Sequence, residues 1–254
     1  MMDKLKYSLQ LLGSAIVWLF LVVSALLLFL GDFAVWLFTF WWDKRLWYLH
    51  RYSIFWAMFY IWINPFWRIK FEGKQNISNG KVYVIVSNHQ SAFDIVLLYR
   101  LYMHFKWVAK RELIKVPAIG WNLLLNKHIL IDRKNPFSSK KMLTEGLRNL
   151  RMGNSLLIFP EGTRSPDGKV KRFKEGAFIV AQQAQAPILP VIIDGSRDVL
   201  PRAGVVNLIQ KFTIRVLPEI PYNSFKDWSS SELCKKVNKL IEENHRSISP
   251  NRYK

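Results

Sequence analysis

The feature that most restricts the fold of this chain is its N-terminal apolar segment. Residues 9–31 carry no charge and are almost all apolar, which meets the length of about 20 residues that a membrane-spanning helix needs. A second apolar stretch, residues 33–42, follows the single charge of Asp32. A cleavable signal peptide would have a shorter apolar region ending at small residues, whereas residues 26–30 continue this one. A buried helix of a soluble protein would need a large core around it. We therefore predict that this segment lies in a membrane.

Two arrangements of the segment stay open. As one continuous helix, residues 9–42 would be about 51 Å long, which is too short for two complete crossings of a core about 30 Å thick. Either residues 9–31 span the membrane once, or residues 9–42 enter it and return as a re-entrant hairpin. Lys4 lies before the segment and Lys44 after it, and positive charge at both ends favours the hairpin or a helix pair. The aromatic residues that would then lie in the interfacial belt are Trp36, Trp41, Trp42, Trp47 and Tyr48.

The charge of the chain predicts an anionic partner. There are 37 Lys and Arg against 18 Asp and Glu, a formal net charge of +19, which suits nucleic acid, an anionic bilayer or a phosphorylated substrate. The apolar N-terminus favours the last two, so we predict no nucleic-acid partner. Cys234 is the only cysteine, which excludes an intrachain disulfide and a thiolate metal cluster. The histidines show no metal-ligand spacing, and we predict no metal.

Beyond Arg68, short apolar runs alternate with amphipathic stretches, which is typical of strands that alternate with helices. The predicted strands are residues 82–87, 105–108, 129–131, 156–159, 188–193 and 212–217. Residues 139–152 are predicted to form a helix that stops at Gly153, and Ser229 with Glu232 forms a capping box before a C-terminal helix. We therefore predict an α/β fold, in which a largely parallel sheet flanked by helices follows an N-terminal membrane helix pair. The predicted division is residues 1–68 for the membrane-anchoring helices and residues 69–254 for one globular domain.

His89 and Asp94 lie in the segment 88–94 (NHQSAFD), directly after the predicted strand 82–87. α/β folds place reactive groups at such strand-to-helix turns. In a continuous helix the two residues would lie about 140° apart, so they can meet only if His89 lies in the turn and Asp94 in the first helical turn. Asp94 would then hold one imidazole nitrogen, leaving the other free to take a proton from a hydroxyl. The alternative is a structural role, with Ser91 as the helix cap and Asp94 stabilising the first turn.

A second polar segment, residues 159–165 (FPEGTRS), follows the predicted strand 156–159. Pro160 and Gly162 predict a tight turn in which Arg164 and backbone N–H groups could face a phosphate. The alternative is a surface turn whose charges are only solvated. The segment lacks the glycine spacing and the final Ser or Thr of a P-loop.

Four segments in this order resemble the glycerolipid acyltransferases typified by 1-acyl-sn-glycerol-3-phosphate acyltransferase. They are residues 88–94 (NHQSAFD), 129–133 (ILIDR), 159–165 (FPEGTRS) and 189–195 (LPVIIDG). The third segment is the most specific, and the four in sequence are very specific. Residues 108–113 (VAKREL) resemble a further family segment in which the lysine approaches phosphate. One departure is Lys127-His128, where the family usually has a glycine before the second segment.

The resemblance implies an O-acyltransferase that moves a fatty acyl group from acyl-CoA or acyl carrier protein to the sn-2 hydroxyl of lysophosphatidic acid, giving phosphatidic acid. It implies that His89 is the general base and that Asp94 orients it, with Asn88 and Ser91 as supporting residues of the motif. The residues that it implies for substrate binding are Lys110, Arg133, Glu161, Gly162, Thr163 and Arg164.

The same resemblance implies no cofactor, because the acyl thioester is a co-substrate. The implied partners are membrane lipids, a lysophospholipid acceptor, the acyl donor and acyl carrier protein. We expect the protein at the cytoplasmic face of a membrane, with the bacterial inner membrane as the expected one.

Other interpretations stay open. The same chemistry could use another lysolipid as acceptor, either a headgroup-bearing lysophospholipid or a lyso-ornithine lipid. A non-catalytic membrane-binding protein is a different class, and it predicts that His89→Ala leaves function intact. A basic nucleic-acid binder conflicts with the apolar character of the first 67 residues.

Overall fold

The N-terminal apolar segment forms one uninterrupted helix, α1 (Met2–Thr39). The computed structural model of the chain describes residues 2–132, 135, 137–199 and 206–254, and for residues 2–10 the backbone only. Within this part, α1 is the one helix whose length and composition would let it cross a membrane, with a mean hydropathy of 2.6 over Leu11–Thr39. The predicted hairpin within residues 9–42 is therefore wrong. Asp32 does not interrupt the helix, because its carboxylate is buried and accepts a hydrogen bond from Asn122.

A second helix, α2 (Trp47–Trp62), runs back along α1. The hydroxyls of Ser24 and Tyr60 lie 3.2 Å apart. Gly31 faces Tyr52 so closely that a Cβ atom there would overlap the phenol oxygen. The opposite face of α2 packs into the core of the globular domain through Ile54, Ala57, Met58 and Ile61. That α1 and α2 form a membrane helix pair, and that the chain divides at residue 68, stay predictions.

One mixed sheet of seven strands lies at the centre of the described part of the chain. The strands are β1 (Trp67–Glu72), β2 (Val84–Ser87), β3 (Phe105–Lys110), β4 (Ile129–Ile131), β5 (Ser155–Ile158), β6 (Ile188–Asp194) and β7 (Gln210–Val216), in the spatial order β1-β7-β6-β2-β5-β3-β4. β2 to β6 are mutually parallel, whereas β7 is antiparallel to β6 and parallel to β1. The predicted α/β fold with a largely parallel sheet is confirmed, and all six predicted strands are present with ends shifted by at most two residues.

Helices cover both faces of this sheet, because its strands are apolar on both sides. They are α3 (Asp94–Leu98), α4 (Ile119–Leu125), α5 (Ser138–Arg151), α6 (Gly176–Gln183) and α7 (Ser230–Ile248). Alternate residues of one strand face opposite layers: Ile85 packs with α2 and α3, and Val84 and Val86 pack with α6 and α7. The predicted C-terminal helix begins as expected, with the Ser229 hydroxyl accepting a hydrogen bond from the Glu232 N–H at 3.1 Å.

Candidate active site

The sequence segments that carry chemistry meet at one edge of the sheet. Because β2 to β6 are parallel, their carboxyl ends share this edge, which is where open α/β sheets bind ligands. Asn88 follows β2, Phe159 follows β5, Lys110 ends β3 and Asp194 ends β6. We call residues 88–94 the histidine turn and residues 159–165 the arginine turn.

His89 and Asp94 form a hydrogen-bonded pair in the histidine turn. Oδ2 of Asp94 accepts the His89 Nδ1–H at 2.7 Å, together with the backbone N–H groups of Gln90 at 2.7 Å and Ser91 at 2.9 Å. The carboxylate is fully buried, and Asp94 is the first residue of α3, as the sequence argument required. With Nδ1 acting as the donor, Nε2 of the neutral ring is the nitrogen that can accept a proton. A capping role alone would not account for the contact to the imidazole.

Asn88 fixes the start of the histidine turn to the neighbouring strand. Its amide donates to the backbone carbonyl of Ile193 at 2.8 Å and accepts the Ile193 N–H at 2.9 Å. Asn88 is fully buried, so this pair of bonds ties the end of β2 to β6 in a single register. Asn88 therefore holds the start of the histidine turn in place through β6.

The arginine turn contacts the backbone N–H, the backbone carbonyl and the imidazole ring of His89. The His89 N–H donates to Oε1 of Glu161 at 3.0 Å, and the His89 carbonyl accepts the Ser165 N–H at 2.8 Å. The imidazole stacks on the Phe159 ring, with centroids 4.0 Å apart and planes inclined by 12°. The backbone and the ring plane of His89 are thus both fixed by a segment about 70 residues away in sequence.

Glu161 is buried, with 4% of its surface exposed. Burial raises its pKa to about 8, and the nearby Asp94 charge adds to the rise, against the lowering effect of the His89 N–H. The side chain therefore holds a proton at neutral pH. The sequence suggested a substrate-binding role for Glu161, whereas in the structure its carboxyl group contacts the backbone of His89.

Gly162, Thr163 and Arg164 form the open part of the arginine turn. Gly162 has φ of +72°, which a glycine adopts without strain. The Thr163 hydroxyl accepts a hydrogen bond from Lys171 Nζ at 3.2 Å, and the side chain of Lys174 lies against Gly162. Thr163 and Arg164 are exposed. Three cationic side chains therefore lie at this turn. They are Arg164 of the turn itself, and Lys171 and Lys174 of residues 169–174 (KVKRFK), which we call the basic segment.

Of the two other residues predicted to bind phosphate, Lys110 and Arg133, the structure describes only Lys110. Lys110 is half-exposed at the end of β3 and pairs with Glu112 at 3.1 Å. Arg133 follows β4 and lies outside the described residues. Before β4, Lys127 has φ of +51°, a conformation that favours glycine. The glycine that the family resemblance leads one to expect here would adopt this conformation without strain.

An open groove of about 550 Å³ lies at the same edge, beside β1 and β7. Its lining residues are Pro65, Phe66, Arg68, Ile209, Gln210 and Lys211. Because β7 runs opposite to β6, its first residues lie beyond the carboxyl end of β6, where Gln210 donates to the Gly195 carbonyl at 2.8 Å. The groove combines apolar side chains with two cations, a surface suited to an anionic amphiphile.

Comparisons with known proteins identify relatives of this chain. The family model described as Acyltransferase matches residues 68–194. A 1-acyl-sn-glycerol-3-phosphate acyltransferase of Pseudomonas aeruginosa is 33% identical over 199 residues, which are 77% of this chain and 77% of that protein. The chloroplastic 1-acyl-sn-glycerol-3-phosphate acyltransferase LPAT1 of Arabidopsis thaliana is 33% identical over 76% of this chain and 53% of its own length. The chain thus spans about half the length of the chloroplast relatives that it matches.

A solved structure extends the similarity to nearly the whole chain. The crystal structure of the 1-acyl-sn-glycerophosphate (LPA) acyltransferase PlsC from Thermotoga maritima superposes with a TM-score of 0.75 at 26% identity. The match covers 94% of this chain and 95% of that one, so it includes the N-terminal helices as well as the sheet. By its sequence matches and by its fold, the chain belongs to the glycerolipid acyltransferase family.

Proposed function

We propose that the protein transfers a fatty acyl group from acyl-CoA or acyl carrier protein to the sn-2 hydroxyl of lysophosphatidic acid, giving phosphatidic acid. The observation that carries the proposal is the buried Asp94 carboxylate behind His89, directly beside a turn surrounded by cations. The names of the relatives from Pseudomonas aeruginosa and Arabidopsis thaliana support the acceptor.

The first step is removal of a proton from the acceptor. Nε2 of His89 takes the proton of the hydroxyl while Asp94 stabilises the imidazolium that forms. The hydroxyl oxygen attacks the thioester carbonyl carbon and forms the new C–O bond. The tetrahedral intermediate then collapses, the C–S bond breaks, and the imidazolium returns its proton to the leaving thiolate. General acid–base help of this kind contributes about 10²–10⁴ in rate.

The acceptor phosphate would be held by the cations at this edge of the sheet. Arg164 is exposed on the arginine turn, Lys171 and Lys174 lie beside it, and Lys110 ends the neighbouring strand. A guanidinium binds a phosphate through two parallel hydrogen bonds, which fixes its orientation as well as its position. We propose Arg164, Lys110 and Arg133 as the main phosphate-binding residues.

A covalent acyl-enzyme on Cys234 is not part of this proposal. The thiol is buried in α7 and contacts the Phe173 carbonyl at 3.5 Å. Burial raises its pKa to about 11, so the thiolate that such a mechanism needs is scarce at neutral pH. No cofactor takes part in the proposed reaction.

We also propose that α1 lies in a membrane, with the globular domain at its cytoplasmic face. The described side chains of α1 include large exposed apolar residues along most of its length, and water would be a poor solvent for that surface. The net charge of +19 suits the anionic surface of a cytoplasmic leaflet.

The test is acyl transfer by detergent-purified protein. Free thiol released from acyl-CoA is measured with and without lysophosphatidic acid, and phosphatidic acid is identified as the product. We expect thiol release that requires the acceptor. His89→Gln is the matched variant, because glutamine can still bond to Asp94 but cannot take up the proton, and it should lose at least about 100-fold in kcat.

Each failure has a separate meaning. A folded wild type that acylates another lysolipid, or that uses only acyl carrier protein, would correct the substrate and keep the mechanism. Activity of H89Q near the wild-type value, or an acyl-enzyme trapped on Cys234, would overturn the mechanism. A folded protein that binds vesicles and transfers no acyl group would favour a non-catalytic membrane protein.

A further inference from the structure

We propose that the C-terminal tail, residues 245–253, is a positioning element of the active site and that it acts on the histidine turn through Gln90. The proposal rests on the function proposed above. The tail lies more than 150 residues from His89 in sequence, and it follows all four motif segments.

Gln90 connects the tail to the histidine turn. It is 4% exposed, and its Nε2 lies 3.0 Å from Nε2 of His245 and 3.2 Å from Oδ1 of Asp194. Its Oε1 accepts a hydrogen bond from the Ser196 hydroxyl at 3.3 Å. The backbone N–H of the same residue donates to Asp94 at 2.7 Å, so the side chain and the backbone of Gln90 connect two different parts of the site.

Asp194, at the end of β6, collects the other bonds of the tail. Arg252 Nε donates to Oδ1 at 2.9 Å, the Ser249 hydroxyl donates to Oδ2, and His245 Nε2 lies 3.4 Å from Oδ1. Arg252 continues to Asp198 with a bond of 2.6 Å. Although burial opposes it, the hydrogen bonds from His245 and Ser249 and the charge of Arg252 hold the pKa of Asp194 well below its usual range. The ionised carboxylate thus accepts the hydrogen bonds that hold the tail.

The tail also forms a hydrogen bond with the basic segment that follows the arginine turn. The Tyr253 hydroxyl accepts the Val170 N–H at 3.1 Å and lies 2.9 Å from Nδ1 of His245. Gln90 donates to the Gly168 carbonyl at 2.9 Å, and a Cβ atom at Gly168 would collide with the guanidinium of Arg252. One connected network therefore links the histidine turn to the segment that directly follows the arginine turn.

A displacement of Gln90 would move the proton-transfer pair directly. His89 precedes Gln90 by one peptide bond, and one of the three donors on Asp94 is the Gln90 N–H. Sub-ångström errors in such groups reduce turnover in a folded enzyme. A merely stabilising network would instead lower the unfolding temperature and leave the turnover of the folded molecules unchanged.

Ser249 and Ser247 offer a matched pair of variants. Both are serines near the end of α7, but Ser249 bonds to Asp194 whereas Ser247 accepts a hydrogen bond from Arg215 on β7. The experiment compares Ser249→Ala, Ser247→Ala, Gln90→Ala, Arg252→Ala and Arg252→Lys in the full chain. For each variant, kcat and the KM of both substrates are measured below the unfolding temperature.

We expect Q90A and R252A to lower kcat roughly tenfold or more, with KM changed by less than about twofold and with S249A intermediate. S247A should keep the wild-type kcat, and R252K should recover most of the loss because lysine can still pair with Asp194. Wild-type kcat in folded Q90A and R252A, or equal losses in S249A and S247A, would overturn the proposal.

A second measurement does not depend on the proposed reaction. Hydrogen–deuterium exchange of the Gln90 and Ser91 amides, which donate to Asp94, should become at least several-fold faster in S249A and R252A than in S247A. Unchanged exchange in all variants would overturn the positioning role even if acyl transfer is confirmed. Faster exchange in S249A and R252A, together with a wild type that has no transferase activity, would refute the proposed function alone.

Discussion

The histidine turn and helix α1 are held in opposite ways. In the histidine turn, Asn88, His89 and Gln90 each have hydrogen bonds to a different partner segment, from β6, the arginine turn and the C-terminal tail. The described side chains of α1 contact the rest of the protein mainly along one side, and large apolar residues on its other side are exposed.

The difference fits the roles that we propose for the two regions. A proton-transfer pair works only within a few tenths of an ångström, so its geometry must be fixed by more bonds than stability requires. The outer surface of α1 needs no fixed partner if lipid replaces water around it. The chain therefore uses buried polar bonds to fix the proposed proton-transfer pair, and it leaves apolar side chains exposed on the side of α1 that lipid could cover.

The largest effect is expected for Asp94→Asn. The asparagine oxygen would take the place of Oδ2 and keep its three hydrogen bonds, but a neutral amide cannot stabilise the imidazolium that forms when His89 takes up the proton. We expect kcat to fall about 10³-fold or more, as in related His–Asp pairs, while the shape of the turn is kept. The measurement is thiol release from acyl-CoA, with the unfolding temperature as the control. A loss of less than tenfold would mean that Asp94 only caps α3.

Glu161 tests whether the arginine turn positions His89. Glu161→Ala removes the acceptor for the His89 N–H, so we expect a tenfold to 100-fold loss in kcat and a loss of roughly 1–3 kcal/mol in the free energy of unfolding. Glu161→Gln keeps an oxygen at the same place and should retain activity within about tenfold. Equal kcat values for E161A and E161Q would contradict the positioning role.

The pH dependence of E161Q follows from the raised pKa of Glu161. Between its ordinary value of 4.5 and about 8, the unfolded chain releases a proton that the folded chain keeps, so wild-type stability falls with rising pH across this window. Glutamine has no such proton. The stability of E161Q relative to wild type should therefore increase from pH 5 to pH 8 and level off above it, as measured by denaturant unfolding. A flat difference would show that Glu161 is ionised in the fold.

These contacts also show what the sequence could and could not predict. The contact between His89 and Asp94 was predictable because five residues can close a turn onto the start of a helix, whereas the role predicted for the pair came from the resemblance of four segments to the family. The fold class was predictable because all six predicted strands have apolar interiors. The positioning role of Glu161 was not, because its partner atom is a backbone N–H that no sequence pattern marks.

Three other features escaped the sequence argument for physical reasons. β1 has partly polar residues because it is an edge strand, so its run of apolar residues is broken. A re-entrant hairpin was expected within residues 9–42, but the helix continues through Asp32, because Asn122 provides a partner for its carboxylate inside the helix bundle. Gln90 gave no signal, because its partners His245 and Asp194 come together only in the folded chain.

A smaller effect is expected at the polar contact between α1 and α4. Asn122 donates to Oδ2 of Asp32 at 2.9 Å and to the Ser53 hydroxyl at 3.0 Å. Asp32→Leu leaves one buried N–H of Asn122 without an acceptor, which should cost about 1–3 kcal/mol in the free energy of unfolding in detergent. Asp32→Asn retains an acceptor oxygen and should be close to wild type. If D32L is as stable as D32N, then α1 is held by apolar packing alone.

The smallest effect on the folded protein is expected on the outer side of α1. Leu19 and Leu27 are 65% and 63% exposed, whereas Ala25 on the same helix is 9% exposed and packs near Trp56. Leu19→Asn with Leu27→Asn should leave the unfolding temperature in detergent nearly unchanged, because neither side chain has extensive contacts to lose. The same double variant should bind at least about tenfold less to vesicles that contain anionic phospholipid, since each change removes apolar surface worth roughly 1–3 kcal/mol when it is buried in lipid. Ala25→Asn is the matched control and should lower the unfolding temperature while keeping vesicle binding.

If the double variant instead destabilised the protein and kept its vesicle binding, the outer side of α1 would be packing against protein, and the contrast between α1 and the histidine turn would fail.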